Sequence, residues 1–174
     1  MSEYIVEPKS RADLRLLAYQ FRKKLGLLNE IYFPIVELLD IMCELFHGFS
    51  YEIVPDSVFP SEVHGDTDII RKHIRIKESV YEGAVNGNGR DRMTIAHEIG
   101  HYLTLCICGF SFQRNFKGIE VPAYCSPEWQ AKCFAGELMV AKHLTVGMDE
   151  FEIEEKCGVS AAAAEYQYRM MKKN

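Results

Sequence analysis

Residues 94–103 contain the spacing in this chain best suited to metal chemistry, His97-Glu98-Ile99-Gly100-His101. On an α-helix, residues four apart lie one turn along and about 40° around the axis, so both imidazoles can reach one ion. Glu98 lies about 60° beyond His101 on the same side, where a carboxylate can reach an attacking water rather than the ion. Two ligands and a general base on one helix face are the parts of a zinc hydrolase site. Roughly one shuffled chain in fifty of this composition would carry the pattern by chance, so the rest of the helix must support it. With His97 as zero, Ile95, Ile99, Tyr102 and Leu103 fall between about 140° and 240°, an apolar stripe opposite the His/Glu group. The competing reading is the polar face of an ordinary surface helix.

A catalytic zinc takes three protein ligands and keeps one position open. The metzincin continuation needs glycine at 104 and histidine at 107, whereas the chain has Thr104 and Ile107, so that class is excluded. A glutamate on a following helix is the natural alternative. Glu128 lies in an expected helix over 127–140, with Ser126 as N-cap and Pro127 in the first turn. Ala131, Lys132, Ala135 and Met139 share its face, and the two alanines allow close approach to the metal helix. Glu137 is nine positions on, about 180° around, so the two glutamates cannot face one ion. Glu128 ranks ahead of Glu137, with His143, Glu120 and Asp149 as further candidates. A first-turn glutamate that only complements the helix dipole is the plain alternative for Glu128.

These residues need elements to position them. A helix over 11–25, capped by Ser10 and stopped by Gly26, presents Leu14, Leu17 and Phe21 inward. A second runs from Pro34 through Leu38, Leu39, Met42 and Leu45 to Gly48. The period then becomes two: Phe49, Tyr51 and Ile53 alternate with polar residues up to Pro55. Two more short strands are expected at 62–64 and 73–77, with Gly65-Asp66 turning between them. The last strand, leading into the metal helix, is a candidate edge for pairing with an extended substrate. Residues 78–82 suggest a helical turn, and 86–89 a loop. Asp91 is the expected N-cap of the metal helix, which holds residues 95–105, and Gly100 within it suggests close packing. Residues 106–126 show no periodicity and read as a long loop or lid that could gate the site.

The length of 174 residues, 48% hydrophobic and 26% charged content predict one soluble globular fold with a real core. The expected division is a metallopeptidase domain over 1–145 and a C-terminal helical extension over 146–174 packed on it. No signal peptide or membrane span is indicated, and six cysteines without a Cys-x-x-Cys pair suit free thiols in a reducing compartment, so a cytoplasmic location is expected. The net charge of −5 argues against a nucleic-acid footprint over the whole surface. Residues 154–169 read as helix, glycine turn and a second helix capped by Ser160. Its four alanines and acidic first helix suit packing or partner contact better than base reading.

The motif at 90–103, the segment Glu128 to Met139 and the run Ile74 to Tyr81 together resemble the ImmA/IrrE family of HExxH metallopeptidases, over roughly residues 8 to 143. The resemblance implies a small zincin-like, gluzincin-type α+β domain: N-terminal helices, a short three-stranded antiparallel or mixed sheet, the HExxH helix and a C-terminal helical region. It also implies zinc bound by His97, His101 and Glu128, with Glu98 as general base. The implied substrate is a helix-turn-helix repressor, whose cleavage relieves repression of mobile-element or stress-response genes. The sequence departs from the family at Lys132, where Asn is common, and at Val140, where Pro is usual. No helix-turn-helix domain is expected ahead of the peptidase. The expected activity is zinc-dependent endopeptidase, without direct nucleic-acid or membrane binding. Tyr102, Tyr124 and Tyr81 are candidate oxyanion partners. The alternative is a non-proteolytic zinc-binding partner of a repressor or toxin–antitoxin pair. Glu98 favours catalysis, since a structural site needs no such carboxylate.

Overall fold

Ser10 and Asp13 form a reciprocal capping box: the Ser10 hydroxyl accepts from the Asp13 amide and the Asp13 carboxylate from the Ser10 amide at 2.8 Å. In the computed structural model, which describes residues 4–107, 113–114 and 121–173, a two-residue strand β1 (Tyr4–Ile5) precedes that cap. Helix α1 (Arg11–Lys24) follows it, as the sequence predicts. The buried stripe of α1 is Leu14, Ala18 and Arg22, with Leu17 and Phe21 packed at its edges. Arg22 is buried because it donates to the Leu138 carbonyl at 2.7 Å and to the Glu30 carbonyl. It thereby satisfies a carbonyl in the last turn of a facing helix, where no intrahelical donor remains.

Helix α2 (Ile35–Leu45) buries Ile35, Leu38, Leu39 and Met42, and stops three residues short of the expected Gly48. The sheet comprises β2 (Ser50–Val54), β3 (Gly65–Asp68) and β4 (His73–Lys77), in the order β2-β4-β3. β2 runs parallel to β4 and β3 antiparallel to it, so the sheet is mixed. Ile74 and Ile76 of β4 are fully buried and anchor the sheet to the core.

Two expectations about this sheet fail. The middle strand lies at 65–68 and not 62–64, so Gly65 and Asp66 are paired residues and not a turn. Asp66 stands opposite Arg75 and accepts from its guanidinium at 2.9 Å, an ion pair that favours this register. The turn is 69–72, where the Asp68 carboxylate accepts from the Arg71 amide and Lys72 takes a positive φ of 54°. Consequently β4 is the central strand, and β2 and β3 are the edge strands.

Helix α3 (Glu78–Val85) is a full element rather than a single turn. Helix α4 (Gly89–Tyr102) starts earlier than expected because Asn88, not Asp91, is its N-cap: the Asn88 side chain accepts from the amides of Arg90 and Asp91. It ends at Tyr102 and continues as a π turn, Leu103–Ile107. A short strand β5 (Gln113–Arg114) pairs antiparallel with β1, an element the sequence did not suggest. The rest of the expected 106–126 lid lies largely outside the described residues.

Helix α5 (Pro127–Met139) begins at Ser126 and Pro127 as predicted. It packs directly on α4, with a Cβ at Gly100 falling only 2.7 Å from the backbone oxygen of the buried Ala131. Hydrogen at position 100 and methyls at 131 and 135 set this approach. The short α6 (Lys142–Thr145) leads to α7 (Glu150–Cys157) and α8 (Ala161–Lys172), joined at Gly158 in the left-handed conformation, φ 62°. Arg92 of α4 donates to the Gly158 carbonyl at 2.8 Å and to the Phe33 carbonyl at 2.7 Å, so the turn between α7 and α8 lies against the start of the metal helix. Among the described residues no helix is long and apolar enough to cross a membrane.

Candidate metal centre

Helices α4 and α5 bring His97, His101 and Glu128 together, with one ligand atom of each within 4.8 Å of the others. The two Nε2 atoms are 3.1 Å apart. His101 Nε2 is 3.0 Å from one Glu128 oxygen and His97 Nε2 is 3.3 Å from the other. Ligands about 2.0–2.1 Å from a tetrahedral ion stand roughly 3.3 Å from one another, so these spacings fit one divalent metal. Both imidazoles are largely buried while the Glu128 side chain is 56% exposed, leaving the centre open on one side. Hydrogen bonds from His101 and then His97 hold the Glu128 carboxyl well below the usual carboxylate range. The Glu128 carboxyl is therefore deprotonated, the form in which it can bind a metal ion. Nδ1 of His97 is buried without a hydrogen-bond partner among the described residues.

Glu98 lies beside this group and outside it. Its side chain is buried, and its Oε2 accepts from the Thr67 hydroxyl of edge strand β3 at 2.6 Å. Space for that side chain comes from Gly65, where a Cβ would stand 3.3 Å from Glu98 Cγ and 2.9 Å from the Arg75 carbonyl oxygen. Neither Thr67 nor Gly65 is signalled in the sequence as part of a site, since Gly-Asp-Thr-Asp has turn composition. A strand facing a polar cleft shows no apolar alternation to reveal it.

The other ligand candidates are committed elsewhere. Glu137 is buried between Arg11 and Arg15, each 2.8 Å away, on the far side of α5. His143 Nε2 lies 2.8 Å from the Leu28 carbonyl oxygen and its ring packs on Tyr19. Asp149 caps α7, and Glu120 falls outside the described residues. None of the three tyrosines considered as oxyanion partners lines the cleft. Tyr102 is instead buried against Phe46 and Phe49.

The centre opens into a cleft of about 750 Å³ between β3, α4 and α5. Beyond the histidines it is lined by His64, Arg90, Lys132 and Ser160. In the sequence Ser160 reads only as a helix cap and Lys132 only as a departure from the family pattern, and neither Arg90 nor His64 is marked as part of a cleft. Arg90 and His64 meet across the cleft, with guanidinium nitrogen and Nε2 3.2 Å apart.

No protein-family model matches the sequence. No curated protein matches it either. Among solved structures the chain is similar to a Mycobacterium tuberculosis transcriptional regulator, at 15% identity and a TM-score of 0.59, over 88% of this chain and 45% of that one. The chain thus spans less than half of that regulator's length, and at this identity the likeness bears on the fold alone.

Proposed function

We propose that this chain is a zinc-dependent endopeptidase with a zincin-like domain of the ImmA/IrrE type, acting in the cytoplasm on a helix-turn-helix repressor. The observation that carries the reading is Glu98, a buried carboxylate next to a two-histidine, one-glutamate donor set yet outside it. A structural site has no use for it, whereas peptide hydrolysis needs a base there. The second helix, with Glu128 against His97 and His101, supports the resemblance on which the substrate class rests.

His97, His101 and Glu128 would hold the ion. Zinc bound there supplies Lewis acidity toward the scissile carbonyl and acidifies water. Glu98 takes the proton of the attacking water and delivers it to the leaving amine, while the Thr67 hydroxyl keeps its carboxylate oriented. Edge strand β3 pairs on one side only among the described residues and lines the cleft, where an extended chain can lie.

The test incubates zinc-loaded protein with the helix-turn-helix repressor encoded nearest its gene, comparing wild type with Glu98→Gln. Cleavage by wild type, reduced about 10²–10⁴-fold in the variant, is expected. Cleavage by both, or by neither while binding persists, overturns proteolysis and favours a non-catalytic partner subunit.

A further inference from the structure

We propose that the end of the cleft where Arg90, Lys132 and His64 gather beside Ser160 is a subsite for a carboxylate of the bound peptide, from an acidic side chain or a free C-terminus. Arg90 occupies the first turn of α4, two residues after the Asn88 cap, where a cation opposes the helix dipole. A locally unfavourable choice at a cleft points to use by a ligand. Its partner there is the His64 ring, and among the described residues no carboxylate pairs with Arg90 or Lys132. The acids of the same cleft have other hydrogen-bond partners. Asp66 binds Arg75, Glu62 accepts from the Ser61 hydroxyl at 3.0 Å, Glu98 accepts from Thr67, and Glu128 faces the two imidazoles. Arg90 and Lys132 thus make no ion pair among the described residues, although Glu62, Asp66, Glu98 and Glu128 line the same cleft.

The placement also gives a position along the substrate. Arg90 precedes His97 by two helical turns on the same face, about 10 Å along the axis. Glu128 meets His97 and His101, whereas Lys132, one turn further along α5, shares a neighbouring groove with Met93. Helix α5 thus runs back along α4, and Lys132 lies toward the Arg90 end. An extended chain rises about 3.3 Å per residue, so the recognised carboxylate sits about three residues from the bond at the metal centre.

This subsite rests on the peptidase reading, and two measurements keep their failures apart. Zinc-loaded Glu98→Gln protein is titrated with fluorescent decapeptides carrying Glu or Gln at one position, each as free acid and as C-terminal amide. A carboxylate preference of about fivefold or more is expected, weakened by salt and lost when Arg90→Gln is combined with Lys132→Gln. Preference for Glu within the amides assigns the side chain as source, and preference for the free acid alone assigns the terminus. Equal affinities, binding of none, or a preference that survives the double variant overturns the subsite. In parallel, wild-type protein digests a mixed peptide library read by mass spectrometry. Acidic enrichment, or cuts gathered near free C-termini, at a fixed distance from the cut supports the subsite, and cleavage with neither overturns it. No cleavage alongside carboxylate-selective binding removes the peptidase reading and leaves the subsite standing.

Discussion

Single side chains decide whether the centre is a hydrolase or only a clamp. One hydroxyl holds the Glu98 carboxylate, and Thr67→Val removes that donor while keeping the volume. A hydrogen bond to a charged acceptor contributes about 1.5–3 kcal/mol, so the variant is expected to lose about 10- to 100-fold in turnover, with zinc content unchanged and activity restored by Thr67→Ser. Loss of zinc along with activity would mean that Thr67 supports the ligands and not the base. Elsewhere, burial pushes the Cys133 and Cys157 thiols up to about 11. A raised thiol pKa leaves roughly one thiolate in a thousand at pH 8, so both resist iodoacetamide in the native protein and react on unfolding. Mass spectrometry of labelled peptides checks this, and rapid native labelling of either would contradict the packing of α5 or α7.

At the scale of elements, the contact between α4 and α5 sets the ligand geometry. Alanine at position 100 gains about 1 kcal/mol of helix propensity but drives a methyl into the Ala131 backbone, which cannot rotate away. Overpacking costs about 1–3 kcal/mol, so Gly100→Ala is expected to lower stability on balance and to weaken zinc binding as Glu128 shifts. Thermal unfolding and a zinc titration test both, and a more stable variant with wild-type affinity would contradict the tight approach. The opposite face of α5 is held by Glu137 with Arg11 and Arg15. Breaking a buried pair costs about 3–5 kcal/mol, and because the arginines are partly solvated Glu137→Gln is expected to cost about 2–3 kcal/mol. Its zinc affinity should match wild type; a loss would return Glu137 to the ligand candidates. Chain signals named the helices well, since capping residues act locally at Ser10, Ser126 and Ser160. Strand β3 was misplaced because its register depends on Arg75 across the sheet.

For the whole molecule, an ion held by His97, His101 and Glu128 would couple distant segments of chain. Ligands from α4 and α5 lie on elements that also bind α1 through Arg22 and the α7–α8 turn through Arg92. An ion bound to the native state alone adds about 4 kcal/mol at a thousand times its dissociation constant. For a domain of this size that corresponds to a rise of about 8–16 °C in Tm. Differential scanning in chelator and in zinc should show this shift in wild type and not in a His97→Ala, His101→Ala double variant. An equal shift in the double variant would place the stabilising metal elsewhere.

The sequence by itself determined what is local: the His97, Glu98, His101 spacing, the capped helices around it, and Glu128 as a residue whose helix carries small side chains on the same face. Those features follow from helical periodicity and capping, which act within a few residues. Only the tertiary structure decided that Thr67 and Gly65 shape the Glu98 pocket, that β3 and not β4 is the edge strand at the cleft, and that Arg90 and His64 meet over it. These depend on which strand pairs with which, and on how far a glycine lets two backbones approach. Such long-range juxtapositions leave no periodic trace in the chain.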